Sequence, residues 1–320
     1  MTAPIVVDAH HHVWDLAVRD QGWITGPALA PLRRSFSLSD LRPVAEQAGV
    51  VASVLVQTAT VAEETPEMLA QAASEPLVAG VVGWTDLTAP GVADRLVELR
   101  GMSGGEHLVG VRHQVQAEAD PQWLVREDVL RGLAAVADTG LAYDLVILPH
   151  QLPAATAAAR RLPGLRFVLD HAGKPGIAAG TLEPWASHLR DLAAEPNTFC
   201  KLSGFVTEAD WMRWSVEDLR PFAARVLDAF GPDRVMFGSD WPVCTLAADY
   251  ATVFDTTHAL IHELAAHEQA DVLGGTALSA YRLHLPQSPP HRRSASGPIH
   301  QETPPEGSVH EVHAPRSRRQ

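Results

Sequence analysis

Near its N-terminus the chain runs Ile5-Val6-Val7-Asp8-Ala9 and then into three consecutive histidines, His10, His11 and His12, before Trp14. Imidazole is the side chain that both ligates metals and moves protons near neutral pH. In an extended segment alternate side chains share a face, so His10 and His12 point together while His11 points away. Two imidazoles on one face suit either a divalent metal or an electrophilic carbonyl. Residues with matching chemistry follow in order: Arg112 and His113 in "VRHQ", His150 in "LPHQLP", His171 and Lys174 in "LDHAGKP", and Asp240 in "GSDWP". Each also has an ordinary structural use. His10 and His12 can be core histidines satisfied by backbone groups, Asp240 can cap the turn before Pro242, and Arg112 can pair with Asp86 or Asp240. Lys174 can stand solvated in its Gly-Lys-Pro turn, and His11 reads as structural.

Positioning such residues needs a repeated element, and the sequence supplies one. Short apolar runs recur at Ile5–Asp8, Val51–Gln57, Val78–Trp84, Leu108–Arg112, Tyr143–Leu148, Leu165–Asp170, Thr198–Leu202 and Arg234–Phe237. Apolar throughout, they read as parallel strands buried on both faces. Helical stretches separate them, among them "SLSDLRPVAEQAG" with Ser37 or Ser39 as N-cap and "LRGLAAVADTG" ending on Gly140. A doubly wound sheet would place a glycine-rich phosphate turn after its first strand, where this chain has histidines. About eight βα units instead predict an α/β fold of the (β/α)8 TIM-barrel type, in which chemistry sits at the C-terminal strand ends. The residues there are polar: Gln57, Trp84 and Asp86, Gln116, and Ser203 join those already named. The segment from Ala17 to Ser37 reads as a lid over that rim.

The 320 residues are 46% hydrophobic and carry a formal net charge of -13. One large domain can be built from such a chain, and the acidic balance leaves no basic stripe for nucleic acid. No apolar stretch approaches the ~20 residues of a membrane span, and Met1-Thr2-Ala3-Pro4 lacks a basic leader segment. The two cysteines, Cys200 and Cys244, form no disulfide framework and suit a reducing cytoplasm. Residues 1–286 are expected to form the barrel; 287–320, rich in Pro, Ser, His and Arg, are expected to be a disordered low-complexity tail.

The motif order resembles that of the amidohydrolase superfamily, in its amidohydrolase 2 branch. Within it, the chain is similar to the sugar-lactone hydrolase group that contains L-fuconolactonase and L-rhamnonolactonase. The stretches that carry the likeness are "VVDAHHHVWD", "LVGVRHQVQAEADPQWL", "FVLDHAGKP", "FCKLSGFVTEADW", "PDRVMFGSDWPVC" and "VLGGTALSAYRL". The resemblance implies a site built from His10, His12, His171 and Asp240, with Arg112, His113 and Lys174 beside it for substrate. Trp14 and Trp241, the indoles nearest the motifs, suit the apolar face of a sugar ring. No lysine ends strand four, where binuclear relatives carry a carbamylated one, so at most one divalent metal is expected. Zinc held by His10, His12 and Asp240, with His150 as a fourth ligand, fits that donor set. A metal-free version stays open, in which the histidines polarise the carbonyl. In both, water opens a small aldonolactone to its hydroxy acid, with Asp240 as proton shuttle and His171 beside it. The alternatives are a decarboxylase using the same residues and a barrel that binds a sugar acid without turning it over.

Overall fold

The computed structural model describes residues 4–285 of the chain. The expected tail at 287–320 lies outside them. Eight parallel strands follow in chain order around one sheet: β1 (Val6–His11), β2 (Val50–Val56), β3 (Val78–Gly83), β4 (Leu108–His113), β5 (Ala142–Leu145), β6 (Arg166–Leu169), β7 (Thr198–Leu202) and β8 (Val235–Phe237). The ring closes beyond β8, where Asp240 N donates to the His10 carbonyl at 2.8 Å and His12 N donates to the Trp241 carbonyl at 2.7 Å. This is the expected (β/α)8 barrel.

Main helices run outside the strands: α1 (Leu38–Gln47), α2 (Glu64–Ser74), α3 (Val92–Gly101), α4 (Glu127–Thr139), α5 (Leu152–Arg161) and α6 (Trp185–Ala193). A short α7 (Phe205–Glu208) precedes α8 (Val216–Phe230), and α9 (Tyr250–Ile261) follows β8. Their termini follow local chemistry. Ser37 begins α1, its backbone N–H donating to Asp40 at 2.8 Å in a capping box, and Gly140 ends α4 at φ 71°. A larger apolar cluster fills the space between strands and helices, and a smaller one of Val7, Ala9, Val54, Val82, Val168 and Met236 fills the barrel interior. The last helices, α10 (Ala266–Ala270) and α11 (Thr276–Tyr281), reach the opposite end of the barrel from the site. There Ala280 accepts a hydrogen bond from Arg166 at the start of β6. Among the described residues no helix is long and apolar enough to cross a membrane.

One irregularity sets up the site. Between Asp8 and His11 three steps along β1 pass two along β2, which is a β-bulge. Before it, Val7 and Ala9 join the interior cluster, while Asp8 turns outward to Tyr250 of α9. Past it the phase is reversed, and His10 and His12 face the barrel axis.

Candidate active site

The His10 and His12 rings meet at the C-terminal mouth with their Nε2 atoms 3.1 Å apart. Asp240 Oδ1 lies 3.8 Å from the first and 3.6 Å from the second. All three residues are buried. His12 Nδ1 stands 2.7 Å from the Val56 carbonyl. An oxygen that only accepts requires the proton on Nδ1, so the lone pair of Nε2 faces His10 and Asp240. Two imidazole nitrogens and a carboxylate thus converge at separations close to the ~3.3 Å between donors around a tetrahedral ion with 2.0–2.1 Å bonds. The donor set fits a single divalent metal. His11 points away, with Nε2 2.9 Å from Ser53 Oγ on β2.

His171 completes the floor, its Nε2 3.8 Å from Asp240 Oδ1 and its Nδ1 2.8 Å from Ser203 Oγ. Burial pushes its pKa down to about 4, so it is a neutral imidazole near pH 7. Burial alone would raise Asp240, but His171, His12 and Lys174 beside it hold it below the ordinary carboxylate value, so it is ionised. His171, Ala172, Lys174 and Asp240 all adopt left-handed φ, from 50° to 57°. Such conformations cost non-glycine residues ~1–2 kcal/mol and here occupy the turns after β6 and β8 that aim functional side chains. Two glycines allow the close approach. A Cβ on Gly204, at φ 67°, would lie 2.7 Å from His171 Nδ1, and one on Gly238 would lie 2.8 Å from His10 Cβ.

Beneath His10 lies a buried ionic network that the sequence reading passed over. Lys201 of β7, fully buried, places Nζ 2.6 Å from Asp144 Oδ2, 2.8 Å from Asp170 Oδ1 and 3.0 Å from His10 Nδ1. Tyr281 OH donates to Asp144 at 2.7 Å. The lysine is compensated by two carboxylates, as a buried charge must be. It holds Asp170 well below the ordinary value against burial, while burial outweighs it at Asp144, pushed up to about 6. The sequence carries the signal: Lys201 and Asp144 are lone charges inside otherwise largely apolar runs. Asp8, quoted but given no role, accepts from Ser239 N at 2.8 Å and Tyr250 OH at 2.9 Å, tying β1 to β8.

Above the floor is a cavity of about 260 Å³, below the common range of ~300–1,000 Å³ for ligand pockets and suited to one ring. Arg112 and Lys174 line it. Arg112 pairs with Asp170 at 2.8 Å and donates to Gln57 Oε1, not to Asp86 or Asp240. Several expected site residues are placed elsewhere. β5 ends at Leu145, three residues early, so Val146 reaches the cavity and His150 sits exposed on the turn Pro149–Gln151, apart from the His10–His12–Asp240 group. His113, one position past the inward Arg112, faces out. It stacks on Trp123 at 4.4 Å, lies 2.8 Å from Glu118 Oε1, and accepts from Trp84 Nε1. Trp14 and Trp241 both pack on Phe36, within the segment after β1; Trp23 and Trp211 line the cavity instead. Glu208, unmarked in the sequence, also faces it.

Fold and site together define a (β/α)8-barrel enzyme with a buried histidine–aspartate centre. The chain belongs to the amidohydrolase family, whose model matches residues 7–283. It is 41% identical over 291 residues to an L-fucono-1,5-lactonase of Burkholderia multivorans, covering 88% of this chain and 97% of that protein. A second L-fucono-1,5-lactonase, from Burkholderia ambifaria, is 36% identical over 293 residues, covering 89% and 98%. A crystal structure of a Burkholderia multivorans amidohydrolase with bound zinc superposes with a TM-score of 0.82 at 40% identity, covering 88% of this chain and all of that one.

Proposed function

We propose that this protein hydrolyses a small neutral sugar lactone, an aldono-1,5-lactone of the L-fucono type, to its hydroxy acid. The observation that carries the proposal is the buried His10–His12–Asp240 group on the floor of a ring-sized cavity. The lactonase relatives support the substrate class. His10 Nε2, His12 Nε2 and Asp240 would hold one divalent ion, zinc by its donor preference. When bound, such an ion polarises a carbonyl and lowers the pKa of water from 15.7 toward ~7.

This chain's residues supply the rest. Asp240, ionised, takes the proton from the attacking water on its carboxylate. His171, neutral and oriented by Ser203, stands beside that carboxylate to receive the proton and return it to the ring oxygen released when the C–O bond breaks. With its Nε2 turned to the ion, His10 carries its proton on Nδ1 and donates it to Asp170 Oδ1 at 3.2 Å, and Lys201 holds that carboxylate in place at 2.8 Å. Trp23 and Leu29 of the segment after β1 give the cavity an apolar wall.

A decarboxylase or an acid-binding barrel needs cations free to meet a carboxylate. The two in the cavity wall, Arg112 and Lys174, already face Asp170 and Glu208, which favours a neutral ring. The test is a pH-indicator assay of the purified protein against a panel of sugar lactones. Acid release on L-fucono-1,5-lactone, lost on chelation and restored by one equivalent of zinc, is the expected result. No acid release from any lactone of the panel would overturn the proposal.

A further inference from the structure

The cavity wall is divided by sector. Trp23, Leu29, Val243 and Leu246, from the segments after β1 and β8, make one apolar side. Across the mouth the turns after β6 and β7 bring Lys174 and Glu208 together, Nζ to Oε1 at 3.6 Å. Several other polar groups around the cavity are engaged within the protein: Arg112 with Asp170 and Gln57, Gln114 with the Thr58 carbonyl, His171 with Ser203. The Lys174–Glu208 pair differs. At 3.6 Å it is an ion pair longer than a hydrogen bond, and among the described residues neither charged end hydrogen-bonds to any other group. Glu208 is three-quarters withdrawn from solvent, and burial raises its pKa despite Lys174. Its carboxylate is therefore short of donors, and the space from which donors can come is the cavity.

We propose that Lys174 and Glu208 are specificity residues that read adjacent hydroxyl groups on the substrate ring, Glu208 accepting and Lys174 donating. The site then selects polyhydroxylated lactones over bare ones of the same ring size. A carboxylate and an ammonium side by side match a vicinal diol, in which one hydroxyl donates while its neighbour accepts. A hydroxyl bonded to a charged group contributes about 10- to 100-fold in discrimination, and a ligand lacking it leaves the pair unmatched. The assignment rests on the lactone-hydrolase reading above and deepens it.

The experiment compares kcat/KM on L-fucono-1,5-lactone and on δ-valerolactone, which has the same ring and no hydroxyls. Wild type, Glu208→Gln and Lys174→Met are measured, with thermal unfolding of each. Wild type is expected to prefer the sugar lactone, and that preference should fall at least tenfold in either variant, chiefly through KM. The second variant carries the test should the first fail to fold. Equal losses on both substrates, or an unchanged preference, would overturn the assignment while leaving the lactonase reading intact. A wild type inactive on every lactone of the panel overturns the two together.

Discussion

At the residue scale the site turns on Asp240 and on which histidines face it. Asp240→Asn keeps the volume and the turn but removes the basic oxygen, so the fold should persist while turnover drops ~10²–10⁴-fold. Its carboxylate lies below its ordinary value, so the acid limb it contributes to the rate profile falls below about pH 4 and should vanish in the variant. His12→Ala should lose comparable activity together with bound zinc, whereas His11→Ala, which breaks only a contact to Ser53, should keep its zinc. Rates, metal content and thermal unfolding on the same preparations check all three. Near-normal turnover by a folded Asp240→Asn protein would reduce that aspartate to a turn cap. The buried network below explains why His10 tolerates so polar a neighbourhood: Lys201 is balanced by Asp144 and Asp170.

Among the elements, the turns after the strands hold the strain. The turn after β7 passes Gly204 at φ 67°, where only hydrogen fits against the His171 ring. Gly204→Ala introduces both a left-handed alanine, at ~1–2 kcal/mol, and a carbon within 3 Å of that ring. The expected result is a melting temperature lower by roughly 2–6 °C and turnover reduced at least tenfold, because the His171–Ser203 contact is displaced. Gly164→Ala, where an added Cβ meets nothing within 4 Å, is the control and should change neither. A Gly204→Ala enzyme with wild-type turnover would show that His171 needs no such fixed seat. The bulge in β1 belongs to the same scale, since it turns the H-x-H pair toward the axis.

For the whole molecule, burying neutral histidines makes stability depend on pH. Burial lowers His10 well below its ordinary 6.5, His11 to about 3 and His171 to about 4. Unfolded, each takes up a proton near 6.5, so their contribution is complete above that pH and is lost as pH falls toward 4. Asp144, Asp8 and Glu208, raised by burial, work in the opposite direction and offset part of this. The fall in urea midpoint from pH 6.5 to pH 4.5 should therefore be smaller in His11→Ala than in the wild type, and an equal fall in both would contradict a neutral buried His11.

Local spacing alone determined the number and order of βα units, the pairing of His10 with His12 at i and i+2, and the placement of His171 and Asp240 on the rim. Periodicity and turn chemistry are properties of neighbouring residues, so they are legible along the chain. Tertiary structure decided what depends on phase and closure. The bulge reverses the alternation of β1, so strict alternation from Val7 and Ala9 would have sent His11 inward. An early end to β5 put Val146 rather than His150 at the cavity. Lys201 meets His10 across 191 residues of sequence, a partnership made only when β7 and β1 share one barrel interior. Trp23 and Glu208 face the cavity because the lid and the β7 turn fold over it, and no local pattern distinguishes them from Trp14 or any exposed glutamate.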